Sequence, residues 1–346
     1  MTMQYRMLGT TGVEVSVLCL GAMMFGSWGN PDHDESIRIV HRALDAGINF
    51  IDTADVYSEG ESEEILAKAL RGRRDEVVLA TKVHGRMGPD RNAKGNSRRW
   101  IIHEVEQSLR RLGTEWIDVY QLHRHDPDTD LDDTLGALDD LVRSGKVRYV
   151  GHSTWPASAI VEAQWVAKER GYARPRTEQP PYSMLVRSIE REVLPTCERY
   201  GLGVLSWSPL AGGWLSGRDR RDRFSGPQSA ARQRVARRFD LSLPENQRKL
   251  DATERLAQIA AEADLSLIEL AIGFVLAHPA ITSAIIGPRT MEHLESQLSA
   301  ADVVVPTAVL DAIDDVVAPG TTINPVDDGW VPPWLEPTRR RRPSGA

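Results

Sequence analysis

Residues 47–82, GINFIDTADVYSEGESEEILAKALRGRRDEVVLATK, contain the repeating unit that decides the fold. A short apolar run ends at Asp52, an amphipathic helical pattern follows over 63–71, and a second apolar run begins at Val77. The same alternation recurs eight times along the chain, and its apolar runs are continuous, as is typical of parallel strands covered on both faces. We therefore predict an α/β fold, a single (β/α)8 TIM barrel.

The other elements are read from the same periodicity and from turn residues. The predicted barrel strands cover residues 17–21, 49–52, 77–82, 117–123, 147–153, 177–180, 203–208 and 282–287. The predicted helices cover residues 35–44, 63–71, 97–112, 132–143, 156–169, 189–199, 245–262, 267–278 and 291–300. An N-terminal β-hairpin over 5–20, a long loop after strand 7 and a C-terminal tail complete the prediction. A doubly wound open sheet is the alternative, but residues 20–26, LGAMMFG, lack its G-x-G-x-x-G fingerprint.

The composition is that of a soluble globular protein. With 41% hydrophobic and 26% charged residues, the chain is neither collagen, nor a coiled coil, nor wholly disordered. A length of 346 residues alone favours two domains, but no linker or break in composition divides the alternating units. We predict one barrel domain over 1–335 and a disordered basic tail over 336–346.

Charge and hydropathy limit the partners. The net charge of −7 argues against general nucleic-acid binding. No apolar run approaches the roughly 18 residues that a membrane helix needs, and the first residues lack the pattern of a secretory signal. Two cysteines, Cys19 and Cys197, are too few to staple a chain of this length. We expect a reduced, cytoplasmic protein with no nucleic-acid and no membrane partner.

Polar residues close three consecutive predicted strands. Asp52 ends the second strand, Lys82 the third and His123 the fourth, and Tyr57 lies in the loop after Asp52. Taken singly, each has a structural explanation: an ion pair, a core histidine, a loop aromatic. Because catalytic groups of barrel enzymes lie where the strands end, the set together indicates an active site.

These four side chains suit acid–base chemistry on a carbonyl group. A free tyrosine has a pKa near 10, too high for proton transfer at neutral pH, and a nearby lysine is expected to lower it. An aspartate would fix the lysine, and a histidine would hydrogen-bond the carbonyl oxygen. Since the set holds no electron source, a cofactor is expected to supply one.

The sequence resembles the aldo-keto reductases over nearly its whole length. The segments GINFIDTADVYSEGESEEILAKAL, LATK and DVYQLHRHD are similar to that family almost word for word, most of all to the branch of bacterial reductases and potassium-channel β subunits. The resemblance implies an NADP(H)-dependent barrel enzyme that reduces aldehydes and ketones to alcohols. It also implies that Asp52, Tyr57, Lys82 and His123 are catalytic.

The resemblance further implies a cofactor site. Ser153, Thr154 and Gln179 match nicotinamide contacts, although Thr154 replaces an asparagine, and Trp207 is expected to stack on the nicotinamide ring. The residues expected around the pyrophosphate are Ser208, Pro209, Leu210, Gly212 and Arg218, and those expected around the adenosine are Gly287, Arg289, His293 and Gln297. Arg289 is placed to meet a 2′-phosphate, which favours NADP(H) over NAD(H).

The substrate pocket is expected in the loops beyond the strand ends. Its predicted lining is Met24, Phe25, Trp28, Tyr57, His123 and Trp214, an aromatic and sulfur-rich wall that suits a small carbonyl compound, an apolar or aromatic aldehyde or ketone. Segment 328–334 either caps this pocket or packs on the side of the barrel. The arginine-rich run 218–238 either folds over the cofactor or is a solvated loop.

Two other functions remain open. The barrel could be a redox-sensing regulatory subunit that reports the state of its nicotinamide cofactor, or a keto-sugar reductase of secondary metabolism. The pattern His123-x-His125-Asp126 suggests a metal site, but further ligands at a typical spacing are missing, so no metal is predicted. The sequence leaves the choice between a monomer and a homo-oligomer open.

Overall fold

The structure is a computed structural model that describes residues 3–218, 220–222, 224, 226 and 230–335. Eight parallel strands form a closed barrel. They are β3 (Leu18–Gly21), β4 (Phe50–Asp52), β5 (Val78–Val83), β6 (Ile117–Leu122), β7 (Val147–Ser153), β8 (Thr177–Gln179), β9 (Gly203–Trp207) and β10 (Ser283–Ile286). Strands β10 and β3 pair in parallel and close the barrel, with Ile285 opposite Cys19. The predicted (β/α)8 fold is confirmed.

The helices surround the barrel as the periodicity predicts. They are α1 (His33–Asp45), α2 (Glu61–Ala69), α3 (Arg98–Leu112), α4 (Leu131–Arg143), α5 (Ala157–Arg170), α6 (Val193–Tyr200), α7 (Ala230–Gln233), α8 (Pro244–Glu262), α9 (Leu267–Ala277), α10 (Met291–Leu298) and α11 (Thr307–Val316). The limits of α3 have a clear local cause. The Ser97 side chain accepts a hydrogen bond from the Trp100 backbone N–H, and Gly113 ends the helix in the left-handed conformation.

The helix predictions differ from the structure at α6, α7 and α11. The short helix α7 lies in the segment that was predicted as the long loop after strand 7. Helix α6 begins four residues later than predicted, because Ser188–Glu190 form a separate 3₁₀ turn. Helix α11 was not predicted, because it follows the eighth strand–helix unit and is not preceded by a strand of its own. No helix in the described ranges is long and apolar enough to cross a membrane. The predicted tail over 336–346 lies outside the described residues.

The predicted hairpin closes the amino-terminal end of the barrel. Strands β1 (Tyr5–Met7) and β2 (Glu14–Ser16) pair antiparallel, and Leu8 and Val15 are fully buried beside them. These two side chains pack against residues from the inside of the barrel, among them Phe50, Val119 and Leu205. The approach is tight, since a Cβ atom on Gly9 would lie 2.4 Å from the Gly201 carbonyl oxygen. The open end of the barrel is therefore the other one, where the parallel strands finish.

We expect Leu8→Ala to lower the free energy of unfolding by about 2–5 kcal/mol, because it removes a fully buried side chain and leaves a cavity under the barrel. Equilibrium urea denaturation measures this change. The matched control is Val304→Ala, at a side chain that is 83% exposed, for which we expect a change within about 0.5 kcal/mol. Equal effects of the two substitutions would show that the hairpin does not seal the barrel.

Candidate active site

The four residues predicted to be catalytic meet at the open end of the barrel. Asp52 is the last residue of β4, Lys82 lies in β5, and His123 directly follows β6. The His123 backbone N–H donates to the Val83 carbonyl, which extends the pairing of β5 and β6 as far as His123. Tyr57 comes from the loop after β4. Neighbouring parallel strands that end at one rim thus bring together residues 71 positions apart in sequence.

Lys82 is the centre of the site, and its side chain is fully buried. Its Nζ atom donates to the Asp52 Oδ2 atom at 2.6 Å, to the Thr53 carbonyl at 2.7 Å and to the Tyr57 hydroxyl at 3.2 Å. An ammonium group has three donors, so all three are used. Burial alone would lower the pKa of Lys82, but Asp52 and Tyr57 raise it further than burial lowers it. The lysine is therefore charged at neutral pH.

The second oxygen of Asp52 is also occupied. Asp52 Oδ1 accepts hydrogen bonds from Gln179 Nε2 at 2.8 Å and from Gln121 Nε2 at 3.3 Å. Gln121 was not predicted, although it lies two residues before His123 and strand alternation aims both side chains to the same face. In this structure Gln179 supports Asp52 through the amide group that the sequence assigned to a nicotinamide contact.

Tyr57 and His123 are both partly exposed at the open end of the barrel. Their rings lie edge to face with centroids 5.7 Å apart, and the Trp28 ring lies 6.0 Å from the ring of Tyr57. Burial lowers the pKa of His123 well below its ordinary value, and the positive charges of Arg124 and Lys82 lower it further. The imidazole is therefore neutral at physiological pH, and a neutral ring still carries one N–H that can donate to a carbonyl oxygen.

The pKa of Tyr57 corrects one prediction. Lys82 lowers this pKa, as predicted, but burial and Asp52 raise it, and the net shift is upward from the ordinary value. Burial has the largest effect because the phenolate is much more strongly hydrated than the phenol. Tyr57 is thus protonated throughout the neutral range, which suits a proton donor.

The turn that carries Tyr57 is strained and is tied to the neighbouring loop, the one after β3. Ser58 and Glu59 both have left-handed backbone conformations, with φ of 49° and 58°, which costs on the order of 1 kcal/mol per residue. The Ser58 hydroxyl compensates by donating to the Phe25 carbonyl at 3.1 Å and accepting from the Trp28 backbone N–H at 3.1 Å. The position of Tyr57 therefore depends on the loop after β3.

The predicted nicotinamide contacts lie together at the ends of β7, β8 and β9. The Ser153 hydroxyl donates to the Gln179 carbonyl at 2.8 Å. Thr154 has a φ of 59°, and its hydroxyl accepts a hydrogen bond from the Trp207 indole N–H at 3.2 Å. The threonine that departs from the family's asparagine therefore holds the indole that the sequence assigned to ring stacking.

The predicted pyrophosphate loop is a compact turn after β9. Ser208 has a φ of 59°, and its hydroxyl accepts from the Gly212 backbone N–H at 2.7 Å. Pro209 is buried and Leu210 partly buried against the core. The Gly212 carbonyl in turn accepts from Arg232 Nε at 2.8 Å, so the arginine-rich run folds back onto this turn.

The residues predicted to hold the adenosine end form a basic group beside α10. His293 is half-buried, and its pKa is lowered by burial and then by the charges of Arg218 and Arg289. The Asn30 side chain donates to the Arg289 carbonyl at 2.9 Å. Gln297 is buried, with its amide donating to the His293 carbonyl at 2.7 Å, and space is open at Gly287, where an added Cβ atom would meet nothing within 4 Å.

Part of the arginine-rich run crosses the open end of the barrel. We call residues 230–239 the belt. The Ala231 backbone N–H donates to the Trp28 carbonyl at 3.2 Å, and the Arg234 guanidinium lies 3.9 Å from the centroid of the Trp28 ring. The belt therefore joins the loop after β9 to the loop after β3. Residues 219, 223, 225 and 227–229 of the run lie outside the described part of the chain.

The C-terminal segment also reaches the site. We call residues 324–335 the strap. A Cβ atom on Gly329 would lie 2.8 Å from the Trp207 Cζ2 atom, and the Trp330 ring lies 6.0 Å from the ring of His125. Asp327 of the strap pairs with Lys249 at 2.8 Å and with Arg238 of the belt at 3.4 Å. Of the two positions that the sequence left open for 328–334, the structure shows the one over the mouth of the barrel.

Two residues predicted to contact substrate lie elsewhere. Phe25 is fully buried in the main core, and Trp214 is buried in an aromatic stack with Phe224 and Phe239 under the belt. They were predicted to line the pocket because they are apolar. In the structure both side chains pack in the core, so neither has exposed surface that could contact a substrate. Met24 and Trp28 remain partly exposed, and the Trp28 ring lies beside Tyr57. No group of three or more His, Cys, Asp or Glu side chains among the described residues is arranged to hold a metal ion.

Comparisons with known proteins agree with this geometry. The sequence profile of the Aldo/keto reductase family matches residues 17–318. Uncharacterized oxidoreductase YrpG from Bacillus subtilis (strain 168) is 39% identical over 326 residues, which cover 91% of this chain and 96% of that protein. A probable voltage-gated potassium channel subunit beta from Oryza sativa subsp. japonica is 36% identical over 91% of this chain and 97% of its own length.

A third relative is named for a reaction. Versiconal hemiacetal acetate reductase from Aspergillus parasiticus is 32% identical over 87% of this chain and 93% of that protein. A closed eight-stranded barrel with an Asp–Lys–Tyr cluster at its rim defines the class, an oxidoreductase barrel. The chain belongs to the Aldo/keto reductase family, and the predicted resemblance is confirmed.

We expect Asp52→Asn to lower the free energy of unfolding by about 3–5 kcal/mol, because it leaves the buried ammonium of Lys82 without its counter-charge. Asp45→Asn makes the same chemical change at an exposed pair with Arg73, where we expect about 0–1 kcal/mol. Urea denaturation of both variants at pH 7 measures the difference. A loss at Asp52 no larger than at Asp45 would contradict a charged lysine at the centre of the site.

Proposed function

We propose that this protein is an NADP(H)-dependent reductase of aldehydes and ketones, in which Tyr57 is the proton donor. One observation carries the proposal: the buried Lys82 ammonium contacts both Asp52 and the Tyr57 hydroxyl, and the neutral His123 ring lies beside the Tyr57 ring. This set can protonate and polarise a carbonyl oxygen, and general-acid assistance of this kind contributes roughly 10²–10⁴ in rate.

Each of the four side chains has its own task. The Tyr57 hydroxyl gives its proton to the carbonyl oxygen as negative charge develops there. Lys82 stabilises the phenolate that remains, and Asp52 keeps Lys82 charged and in place. The neutral His123 ring donates a hydrogen bond to the same oxygen and fixes the direction from which the carbonyl faces Tyr57.

The residues present fit a phosphorylated dinucleotide. Arg218 and Arg289 both act on His293 near the start of α10, so positive charge gathers where phosphate groups are expected. The turn over Ser208 and Gly212 is flanked by Arg232. When bound, the reduced nicotinamide supplies a hydride to the carbonyl carbon. The side chains of Ser153, Gln179 and Trp207 would hold its ring beside Tyr57, and the belt would cover the pyrophosphate.

The substrate is proposed to be an aldehyde or ketone with an apolar or aromatic body. Trp28 lies beside Tyr57, and Trp330 and Trp334 of the strap pack on each other at the mouth of the barrel. Aromatic walls of this kind favour flat apolar groups over hydrated sugars. This lining supports an aromatic or aliphatic carbonyl reductase over the alternative of a keto-sugar reductase.

A regulatory role is the second candidate, because one relative is named as a channel subunit. Repeated turnover of NADPH with an aldehyde would favour the enzyme. A single oxidation of bound NADPH with no further turnover would favour the regulatory subunit. The complete proton-donating set, His123 included, supports the enzyme.

We also propose a single barrel domain over 1–335 and a cytoplasmic location.

We expect Tyr57→Phe to lower kcat for carbonyl reduction by about 10²–10⁴ and to leave the affinity for NADPH unchanged, since the hydroxyl acts on the proton alone. Turnover is followed by the loss of NADPH absorbance, and cofactor affinity by fluorescence titration. The matched control is Tyr120→Phe, which removes a buried hydroxyl with no hydrogen-bond partner in the described chain. Turnover of Tyr57→Phe close to that of the control would refute the assignment.

We expect Arg289→Gln to raise the Kd for NADPH about 10- to 100-fold while the Kd for NADH stays the same, because only NADPH carries the 2′-phosphate. Isothermal titration of both dinucleotides against both proteins measures this. Arg255→Gln removes an exposed charge from α8 and serves as the control. If NADPH and NADH weaken equally, Arg289 does not read the 2′-phosphate.

A further inference from the structure

Arg124 lies in the site and has no role in the mechanism above. It directly follows His123, and its side chain is half-buried. Its Nη1 atom reaches back to the His123 carbonyl at 2.5 Å, and its own carbonyl accepts from the Asn96 side chain at 3.0 Å. Both the backbone and the guanidinium are thus held at the end of β6, next to the ring that faces Tyr57.

The guanidinium of Arg124 forms no ion pair within the described part of the chain. Arg111 pairs with Glu63 and Glu104, and Arg187 with Glu190 and Asp314. Arg6 has no acidic partner either, but its guanidinium donates to two backbone carbonyls, those of Leu276 and Ile281. Burial lowers the pKa of Arg124, the sign of a charge that has lost water without a full replacement. Burying a cation without an acidic partner costs free energy of folding, unless a ligand completes the hydrogen bonds of that cation.

The carboxylates near Arg124 along the chain and in space are already engaged. Asp126, two residues further along, accepts hydrogen bonds from the Asn96 backbone N–H and the Thr129 hydroxyl. Glu178 is buried, and its two oxygens bind His152 and the Trp155 backbone N–H. The remaining charged neighbour is Arg238 of the belt, another cation, which Asp327 neutralises. Arg124 therefore leaves positive charge at the mouth that no side chain of the described site cancels.

The charge of Arg124 points toward the reacting groups. The hydrogen bond from its Nη1 atom to the His123 carbonyl holds the guanidinium beside the end of β6, and its charge lowers the pKa of both Tyr57 and His123. His84, the other ring whose pKa it lowers, is also kept neutral by burial. An anionic group attached to the substrate near its carbonyl would thus find one cation without competition from a protein carboxylate.

We infer that Arg124 binds a carboxylate of the substrate, so that the preferred substrates are aldehydes or ketones that carry a carboxylate near the carbonyl group. The inference rests on the proposed reductase function and narrows its substrate class. A guanidinium presents parallel N–H donors that match the two oxygens of a carboxylate. The apolar part of such a substrate would pack between Trp28 and Trp330.

The test compares acids with their own methyl esters, which differ in charge but keep the reacting carbonyl. Suitable pairs are 4-oxobutanoate and 2-formylbenzoate, each with its methyl ester. Steady-state kcat and KM are measured with NADPH for the wild type, Arg124→Gln and Arg124→Lys. Arg86→Gln removes an exposed arginine from the neighbouring loop after β5 and controls for charge at the mouth.

We expect the wild type and Arg86→Gln to prefer the acids. In Arg124→Gln the KM for the acids should rise about 10- to 100-fold. Any change that acts through the pKa of Tyr57 or His123 is shared by acids and esters, so the acid-to-ester ratio of KM isolates the effect on the carboxylate. Arg124→Lys should restore part of the preference for acids over esters, because the positive charge remains but the paired N–H donors of the guanidinium are lost. Equal losses for acids and esters would overturn the inference, because Arg124 would then act through Tyr57, and so would a preference that survives in Arg124→Gln.

A second measurement needs no variant. With a methyl ester as the substrate of the wild type, butanoate should inhibit competitively and butanamide should not. Equal inhibition by the two would overturn the inference. A wild type that reduces the esters but shows no preference for acids overturns this inference alone, whereas a wild type that reduces no carbonyl compound at all overturns the proposed reductase function itself.

Discussion

A single buried ammonium group organises the open end of this barrel. Lys82 has no contact with solvent, and its three donors reach a carboxylate, a backbone carbonyl and a phenol, all within residues 52–57. A charge in this position is stable only while all of these partners stay in place. Asp52 is fixed in turn by Gln121 and Gln179 from β6 and β8. The positions of Lys82 and Asp52 are therefore a property of the barrel, whereas Tyr57 is held in place by the loops after β3 and β4.

The loops add closure and selectivity to this fixed centre. The belt reaches across the mouth to Trp28, and the strap lies against Trp207. The two are linked, because Arg238 of the belt and Lys249 of α8 share Asp327 of the strap. Movement of the belt therefore requires rearrangement of the strap. The pKa values of Tyr57 and His123 depend on burial, so the opening of this cover would change their acidity as well as access to them.

The parts predictable from the sequence are those with a local or periodic cause. Strand and helix periods predicted the barrel, and Ser97 and Gly113 predicted the limits of a helix. The ends of the predicted strands placed Asp52, Lys82 and His123 at one rim. Other features arise from contacts between distant segments. The burial of Trp214 depends on its contact with Phe239, and the position of the strap depends on the ion pairs of Asp327. The raised pKa of Tyr57 depends on its desolvation in the folded protein. The sequence alone does not predict these environments, because they form between residues that are far apart along the chain.

The sealed lower end of the barrel has a consequence for how this protein can change. The hairpin fills that end with apolar side chains and backbone contacts that leave no room at Gly9, while the reacting groups lie at the opposite rim. Folding robustness and chemical selectivity are thus encoded by separate sets of residues. Substitutions that repack the floor can compensate for destabilising changes around Trp28, Arg124 or Trp330, so new specificities can be acquired at the rim without disturbing the parts that hold the chain together.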